Sequence, residues 1–164
     1  MALATSLEQY LISNGIRYDV IVHRPTLHSN ATANAAHVPA ARLAKSVVLR
    51  DDQGYLIAVM PANHRLRLGS LHMQLGRSLG LATEAELRPL FNDCAVGAVP
   101  PLGPAYGMDV IVDDSLNEQP EIYFEGGDHQ ELIKVAGKDF QRLLPNAMHG
   151  HISDPSSRES PAPH

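Results

Sequence analysis

The chain has 164 residues, 44% apolar and 19% charged, which fits one globular domain with a real core and excludes a wholly disordered protein. Its formal net charge of −5 is opposite in sign to the charge that a general nucleic-acid-binding protein needs along a phosphate backbone. The single cysteine, Cys94, excludes an intrachain disulfide and a cysteine-rich zinc site, and no apolar run approaches the roughly 18 residues of a membrane-spanning helix.

The N-terminal part of the chain predicts a helix, a strand and a second helix. Thr5 and Glu8 have the spacing of a capping box, and Gly15 is a suitable stop, so the first helix lies between them. Residues 18–22 (YDVIV) have the composition of a strand. Ser29 then provides an N-cap for an alanine-rich helix.

The clearest local signal is a β-hairpin. Residues 46–50 (SVVLR) and 55–60 (YLIAVM) are strand-like runs, and the four residues between them end in Gly54, which can adopt a positive φ. Helical patterns follow at 68–75 and 83–90, the second with capping-box spacing at its start. The sequence therefore predicts two antiparallel strands followed by two helices.

The second half of the chain contains short strand-like segments separated by Gly, Pro and Asp turns. Strands and helices do not alternate strictly, which disfavours a doubly wound parallel sheet and predicts an α+β domain with mixed strand pairing. A helix at 138–144 closes the pattern, and nothing after it is periodic. We expect one domain at 1–144 and a disordered tail at 145–164. The predicted strands are 94–98, 108–112, 121–124 and 131–135.

Lys45 stands at the entrance to the hairpin, on the same strand face as Val47 and Leu49 by period-two alternation. An ammonium on the apolar side of a strand must reach solvent, pair with an anion or line a cavity. In a cavity it can hold a carboxyl or phosphate oxygen and stabilise a developing oxyanion. The alternative is a strand-end lysine with its head in water, which is common.

Two glycine-containing loops could form the rest of a binding site. In residues 97–103 (GAVPPLG) prolines fix the backbone and glycines allow close approach, so the loop can present backbone donors and acceptors to a small ligand. Residues 126–129 (GGDH) lie between two predicted strands, and His129 could act as an acid, a base or a hydrogen-bond partner. Each loop could equally be a turn without a ligand.

Other catalytic patterns are not found in the sequence. The nine histidines are irregularly spaced and no HExxH occurs, so a metal-dependent hydrolase is a minor alternative, and we expect no metal site and no cofactor. A G-x-S-x-G elbow, a Walker loop and a dinucleotide-binding glycine motif are also missing, so no serine nucleophile is indicated.

The order of these features resembles the YbaK family of editing domains associated with prolyl-tRNA synthetase. Lys45, at the start of an apolar strand after an alanine-rich helix, is similar to the family's signature lysine. Residues 97–101 (GAVPP) are similar to its G-x-x-x-P loop, and residues 124–129 (FEGGDH) to its late glycine turn. The likeness runs from about Leu7 to Leu144, nearly the whole predicted domain.

The resemblance implies a single α+β domain with a central mixed, barrel-like β-sheet surrounded by helices. It also implies a free-standing hydrolase that cleaves the ester between a wrong amino acid and tRNA. Lys45 would orient the terminal adenosine's phosphate or the ester carbonyl and stabilise the tetrahedral oxyanion. Ser46 would contact the substrate, although some alanine-specific members of the family have Asn there, so alanine specificity does not follow.

The two loops would bind the aminoacyl group. The resemblance implies that backbone around Gly97 and Ala98, held by Pro101, fixes this group, and that Gly127 and His129 close the pocket and limit the size of the side chain. Water, helped by a ribose hydroxyl of the substrate, would attack without a covalent protein nucleophile. Asp128, beside His129, has no role in this scheme.

The implied partner is the acceptor end of a mischarged tRNA carrying a small amino acid such as Ala, Cys, Ser or Thr. Because the chain is acidic, a synthetase or elongation factor could supply part of the tRNA identity. We expect a cytoplasmic protein without a signal peptide or membrane partner. The alternative function is a non-catalytic module that binds an aminoacyl or nucleotide-like ligand. A local basic patch for tRNA could come from Arg65, Arg67, Arg77, His64 and His72, or these could be a solvated helix face.

Overall fold

Ten strands, five α-helices and three short 3-10 helices occur in the described part of this computed structural model, which covers residues 3–26, 29–95 and 97–156. No helix in these ranges has both the length and the apolar surface needed to cross a bilayer. The helices are α1 (Thr5–Ser13), α2 (Ser29–Ala36), α3 (Leu68–Leu75), α4 (Glu84–Leu90) and α5 (Gly137–Leu143). The strands are β1 (Asp19–Val22), β2 (Leu43–Asp51), β3 (Gly54–Pro61), β4 (His64–Leu66), β5 (Gly80–Leu81), β6 (Asp109–Asp113), β7 (Glu121–Glu125), β8 (Glu131–Ala136), β9 (Met148–Gly150) and β10 (Ser153–Pro155).

Eight strands form one mixed sheet in the order β1-β8-β7-β2-β3-β6-β9, with the short β5 also pairing with β2. The predicted hairpin is confirmed: β2 and β3 are antiparallel, with Asp51 opposite Gly54 across a two-residue turn. β2 is parallel to β7, and β6 is parallel to both β3 and β9. β4 and β10 form a separate antiparallel pair. The predicted α+β domain, with a mixed central sheet flanked by helices, is therefore confirmed.

The two faces of the sheet bury different apolar clusters because successive residues of β2 point to opposite sides. Ala44 and Val48 belong to the larger cluster, which also buries Leu7 of α1. Leu49 lies on the other face, in a cluster with residues of α3. Leu43 lies on that same face, in a third cluster with residues of α2. The face that carries Leu43 and Leu49 is thus covered by two separate helices.

The residues at helix ends predicted one capping box and one helix stop correctly and a second capping box incorrectly. Thr83 caps α4 and exchanges hydrogen bonds with Glu86 at 2.8 and 3.2 Å, which confirms that predicted capping box. The capping box predicted to begin at Thr5 is wrong, because Ala4 is the N-cap of α1 and makes no side-chain cap. The predicted stop of the same helix is correct, since Gly15 has a φ of +64°.

The described residues of the segment 94–98 form a bend, so the strand predicted there is wrong. The backbone N–H of Ala98 bonds back to the carbonyl of Ala95 at 3.0 Å, which curls the chain. The N–H of Ala95 bonds to the carbonyl of Gly127 at 2.7 Å. Val96 lies outside the described residues. The prediction fails because the N–H groups of Cys94, Ala95 and Ala98 bond to carbonyls of Phe91, Gly127 and Ala95, none of which belongs to a strand.

Residues 145–156 are ordered, so the disordered tail predicted from 145 is wrong over that range. β9 pairs with β6, and β10 pairs with β4. Ile152, between the two strands, is fully buried. The domain predicted to end at 144 therefore extends to residue 156, because this segment has strand partners and an apolar anchor. Residues 157–164 of the predicted tail lie outside the described residues.

Candidate functional site

One edge of β2 is only partly covered by neighbouring strands. We call the uncovered stretch at residues 45–48 the step, and the candidate site lies around it. β7 pairs with β2 only at Leu43 and Ala44, and β5 pairs with it only at Leu49 and Arg50. Between these two contacts, the described chain places no strand against residues 45–48 on this edge. The chain leaves β7 at this level and enters the glycine turn at 126–127. The turn predicted to bind substrate therefore follows the strand that neighbours Lys45.

The glycine turn contacts the segment that leads into the G-x-x-x-P loop. The carbonyl of Gly127 accepts the 2.7 Å hydrogen bond from Ala95, two residues before the loop. Gly127 has a φ of +112°, and a Cβ at this position would lie 2.9 Å from the Cβ of Ala4. Both its backbone conformation and the close approach of α1 require glycine here. The structure thus brings together two segments that are about thirty residues apart in sequence.

The G-x-x-x-P loop is exposed at its first residue and buried from Ala98 onward. Ala98 and Pro101 are buried, and Leu102 is fully enclosed in the larger core cluster. Gly97 is exposed and has a φ of +86°, a left-handed conformation that glycine adopts without strain. The backbone of Gly97 is therefore the part of this loop that a ligand can approach.

Asp128 holds the glycine turn in shape. Its Oδ1 accepts hydrogen bonds from the backbone N–H groups of Gln130 and Glu131, both at 3.0 Å. This is the local bonding that aspartate favours in turns. His129 next to it is half-buried and has a φ of +65°, which is uncommon for a residue other than glycine. The aspartate without a role in the sequence analysis is therefore a structural residue of the turn.

Lys45 points away from both loops. Its Nζ donates a 2.5 Å hydrogen bond to the backbone carbonyl of His64, just after β3. Lys45 lines an open concavity of about 250 Å³ together with Asn30 of α2, Asn63 and Arg65. Because Lys45 is on the same face as Leu43 and Leu49, this concavity lies between the two helix-covered clusters. The lining residues in the described chain do not include Gly97, Ala98, Pro101, Gly127 or His129.

The side chain of Ser46 lies on the opposite face of β2. By strand alternation its side chain is on the side of Ala44 and Val48, facing the larger cluster. Its Oγ is buried and makes no hydrogen bond to any described residue. The side chains of these two adjacent residues therefore lie on opposite faces of β2. Lys45 lines the concavity near His64, and Ser46 faces the larger core cluster and the glycine turn.

A buried carboxyl group beside Lys45 was missed by the sequence analysis. β7 and β2 are parallel with Phe124 beside Ala44, so the next residue, Glu125, lies beside Lys45 on the same face. Glu125 is only 8% exposed, and burial, followed by the negative charge of Asp128, raises its pKa to about 7. The signal that could have found it is alternation within β7, which places Glu125 on the face of the buried Tyr123.

Two buried threonines lie close to this carboxyl group. Glu125 shares a hydrogen bond with Thr32 of α2, which opposes the rise in the pKa of Glu125. The Oγ1 atoms of Thr26 and Thr32 are 2.6 Å apart. These contacts form a polar layer beneath α2, next to the apolar cluster that contains Leu43.

Several buried polar atoms around the step make no hydrogen bond within the described chain. Buried polar groups are nearly always satisfied in native proteins, so a concentration of exceptions marks a place where water or a ligand is expected. These atoms belong to β2, to the end of β7, to the turn after it and to the segments that pack beside them. They are His23 Nε2, Ser46 Oγ, Asn63 Oδ1, Glu125 Oε1, Asp128 Oδ2 and Glu131 Oε1.

The structure brings only part of the predicted basic patch together, since Arg65 and Arg67 line one concavity and Arg77 lies elsewhere. Arg65 is exposed at the rim of the concavity that Lys45 lines. Arg77 forms a bidentate ion pair with Asp51, at the other end of β2. Arg67 pairs with Asp154 at 3.0 Å. Of the predicted arginines, Arg65 is therefore the one that borders the site. Within the described ranges, no group of three His, Cys, Asp or Glu side chains is placed to share a metal ion.

Comparison with known protein families identifies the family of the chain. The family model described as an aminoacyl-tRNA editing domain matches residues 23–143. This range contains Lys45, both loops and Glu125. A search of curated proteins gave no match.

Solved structures share the fold over nearly the whole chain. A protein provisionally named as a trans-editing enzyme for prolyl tRNA synthetase is 25% identical, with a TM-score of 0.81 over 92% of this chain and 96% of that one. A protein described as hypothetical is 22% identical, with a TM-score of 0.80 over 91% of this chain and 99% of that one. A longer protein of Marinobacter aquaeolei VT8, provisionally named as a signal transduction protein, is 23% identical, with a TM-score of 0.75 over 92% of this chain and 31% of that one.

Proposed function

The chain belongs to the aminoacyl-tRNA editing domain family, and we propose that it acts in trans as a deacylase that hydrolyses the ester of a mischarged tRNA. The observation that supports this most directly is the step in the sheet. There, Lys45 lies beside the buried Glu125, the glycine turn follows Glu125 in the chain, and several buried polar atoms make no hydrogen bond within the described residues, although the ammonium of Lys45 itself is directed to His64. The naming of a related structure as a prolyl-tRNA trans-editing enzyme agrees with the proposal.

Lys45 is the proposed catalytic residue. Its ammonium would contact the ester carbonyl or the terminal phosphate and stabilise the oxyanion that forms when water attacks. Removing one such donor typically costs about 10²–10³ in kcat. Water, assisted by a ribose hydroxyl of the substrate, would be the nucleophile, because an aminoacyl ester is already activated and needs mainly positioning.

The two loops are proposed to hold the aminoacyl group. Because the N–H of Ala98 is bonded to Ala95, we assign the backbone contact to the exposed Gly97 and to the carbonyl of Ala98. The buried Pro101 would keep this loop rigid. Gly127 and His129 would close the pocket over a small side chain such as that of Ala, Cys, Ser or Thr. Size exclusion alone discriminates by only about 1–3 kcal/mol per methylene.

The proposed partner is the acceptor end of tRNA. Arg65 at the rim of the concavity would contact a phosphate, and Ser46 would contact the substrate from the other side of β2. With a net charge of −5, the chain has little basic surface for the rest of the tRNA. A synthetase or elongation factor would then select the tRNA.

The test is release of labelled amino acid from a panel of mischarged tRNAs, comparing wild type with Lys45→Ala. The control is Lys138→Ala, which removes an exposed lysine of α5. We expect Lys45→Ala to reduce hydrolysis by about 10²–10³ and the control to have no effect. Equal hydrolysis by Lys45→Ala would remove Lys45 from the mechanism. Binding of the esters by wild type without turnover would instead indicate a non-catalytic binding module.

A further inference from the structure

We propose that the segment 148–156 belongs to the editing site, because it fixes the backbone carbonyl that holds Lys45. The proposal rests on the proposed function for the importance of Lys45, but its contacts can be tested separately. It runs through three links: Asp113 to Ser153, Ser153 to His64, and His64 to Lys45. Ser153, His64 and Asp113 are positioning residues in this scheme.

The first link anchors the segment to the central sheet. Asp113, at the end of β6, is 2% exposed, and its Oδ1 accepts hydrogen bonds from the N–H groups of Ile152 and Ser153, both at 2.9 Å. Its Oδ2 accepts from the hydroxyl of Ser115 at 2.5 Å. Burial acts to raise the pKa of Asp113, but these hydrogen bonds outweigh it and lower the pKa. The carboxylate is therefore ionised at neutral pH and binds the segment through charge-assisted hydrogen bonds.

The second link joins the segment to the turn after β3. The Oγ of Ser153 is 2.8 Å from Nδ1 of His64, and this hydroxyl is almost completely buried. In the ladder between β10 and β4, Pro155 lies opposite His64. The N–H of Ser156 donates to the carbonyl of Asn63 at 2.9 Å. The start of β4 is therefore held through the side chain of His64 and through the backbone of Asn63 just before it.

The third link reaches the proposed catalytic group. The carbonyl of His64 accepts the 2.5 Å hydrogen bond from Lys45 Nζ. A lysine side chain has several rotatable bonds, and fixing them in advance removes an entropic cost from each catalytic cycle. The carbonyl of His64 is fixed only as well as the start of β4, which the hydrogen bond between His64 and Ser153 holds in place. The position of the Lys45 ammonium therefore depends on Ser153.

The simpler view is that the segment only completes the fold. Its apolar contribution comes from Ile152, which is fully buried in the cluster beneath α3. The polar contacts are separate from it and point toward Lys45: Ser156 and Asn63 line the same concavity. A buried serine hydroxyl needs a partner in either view. The positioning role is favoured because this partner is the residue whose carbonyl holds Lys45.

The test compares Ser153→Ala with Ser70→Ala. Ser70 donates a 2.9 Å hydrogen bond to the carbonyl of His151, so the control removes a serine hydroxyl that contacts the same segment away from His64. The first measurement is the acylation rate of Lys45 by an amine-specific reagent, followed by mass spectrometry with Lys138 as the internal reference. We expect Lys45 to react several-fold faster in Ser153→Ala, with no change in Ser70→Ala.

The second measurement is single-turnover hydrolysis of the mischarged tRNA that wild type cleaves best. We expect Ser153→Ala to lower the rate about tenfold, since small displacements of a catalytic group can cost up to about 10²-fold. In a Lys45→Ala background it should have no further effect, because the loss acts through the lysine. His64→Ala should repeat the result if Ser153→Ala fails to fold.

Three outcomes decide between the explanations. Unchanged reactivity of Lys45 in both Ser153→Ala and His64→Ala would overturn the proposed positioning. An equal loss of hydrolysis with and without Lys45 would also overturn it, since that is the result expected of a purely structural segment. Failure of wild type to cleave any ester, together with faster acylation of Lys45 in Ser153→Ala, would overturn the proposed function and leave the positioning intact.

Discussion

The charged side chains at the two ends of strand β2 make different kinds of contact. At the hairpin end, Arg77 donates two 2.8 Å hydrogen bonds to Asp51, which lower the pKa of that carboxyl group to about 2. Arg50 beside it pairs with Glu86 at 2.7 Å. At the other end, Lys45 bonds to a backbone carbonyl, and the neighbouring Glu125 has a raised pKa.

The difference separates a structural end from a functional end. The bidentate ion pair between Arg77 and Asp51 at the hairpin satisfies both partners and fixes the turn. Around Lys45, buried oxygens and nitrogens make no hydrogen bond to described residues, which lowers stability. Proteins usually keep such unfavourable groups only where binding or catalysis requires them. The predictions that follow test whether the two ends differ in this way.

The largest expected effect comes from removing one cation at each end. Lys45→Met should reduce deacylation by about 10²–10³ with little change in thermal stability, because the lysine acts on substrate. Arg77→Met should lower the melting temperature by a few degrees, because it leaves Asp51 without its partner, and should leave deacylation unchanged. Both are measured by thermal unfolding and by single-turnover hydrolysis. The comparison fails if Arg77→Met reduces hydrolysis as much as Lys45→Met.

Glu125→Gln should stabilise the protein increasingly as the pH rises. The folded pKa of Glu125, about 7, is above its ordinary value near 4.5, so ionisation destabilises the folded state as the pH rises between these values. Glutamine cannot ionise and avoids this cost, which is on the order of 3 kcal/mol at most. The difference in melting temperature between variant and wild type should grow from pH 5 to pH 8. A constant difference would mean that Glu125 titrates normally.

Glycine turns at the two ends offer a matched pair of substitutions. Gly127→Ala should destabilise the protein by about 1–3 kcal/mol, because alanine is strained at this φ and its Cβ would also approach Ala4. Gly54→Ala meets nothing within 4 Å and has only the strain of a φ of +133°. Denaturant unfolding should show the larger loss for Gly127→Ala. Equal losses would show that the contact with Ala4 is unimportant.

The smallest effect is expected at acidic pH. Because the folded pKa of Asp51 is depressed to about 2, its contribution is present above the unfolded pKa near 3.8 and is lost as the pH falls toward 2. Wild type should therefore lose more stability than Asp51→Asn between pH 4 and pH 2.5. Melting curves at several pH values measure this. Parallel losses in the two proteins would argue against the ion pair.

Much of the fold could be predicted from the sequence because its signals are local. The hairpin has two apolar runs and a glycine turn between them, and Thr83 with Glu86 makes a capping box within one helical turn. The roles of the site residues stay a prediction. The structure brings Ala95, two residues before the G-x-x-x-P loop, against Gly127, whereas Lys45 is directed to His64.

The sequence by itself determined the elements whose stabilising contacts lie within a few residues: the hairpin, α3 and α4. Only the tertiary structure decided the rest. β10 has three residues and is held by β4, nearly ninety positions earlier, so no periodicity within the segment could indicate it. Glu125 becomes a buried neighbour of Lys45 only through the parallel register of β2 and β7. Such contacts depend on which strands pair, and a one-residue shift of register would move every side chain to the other face.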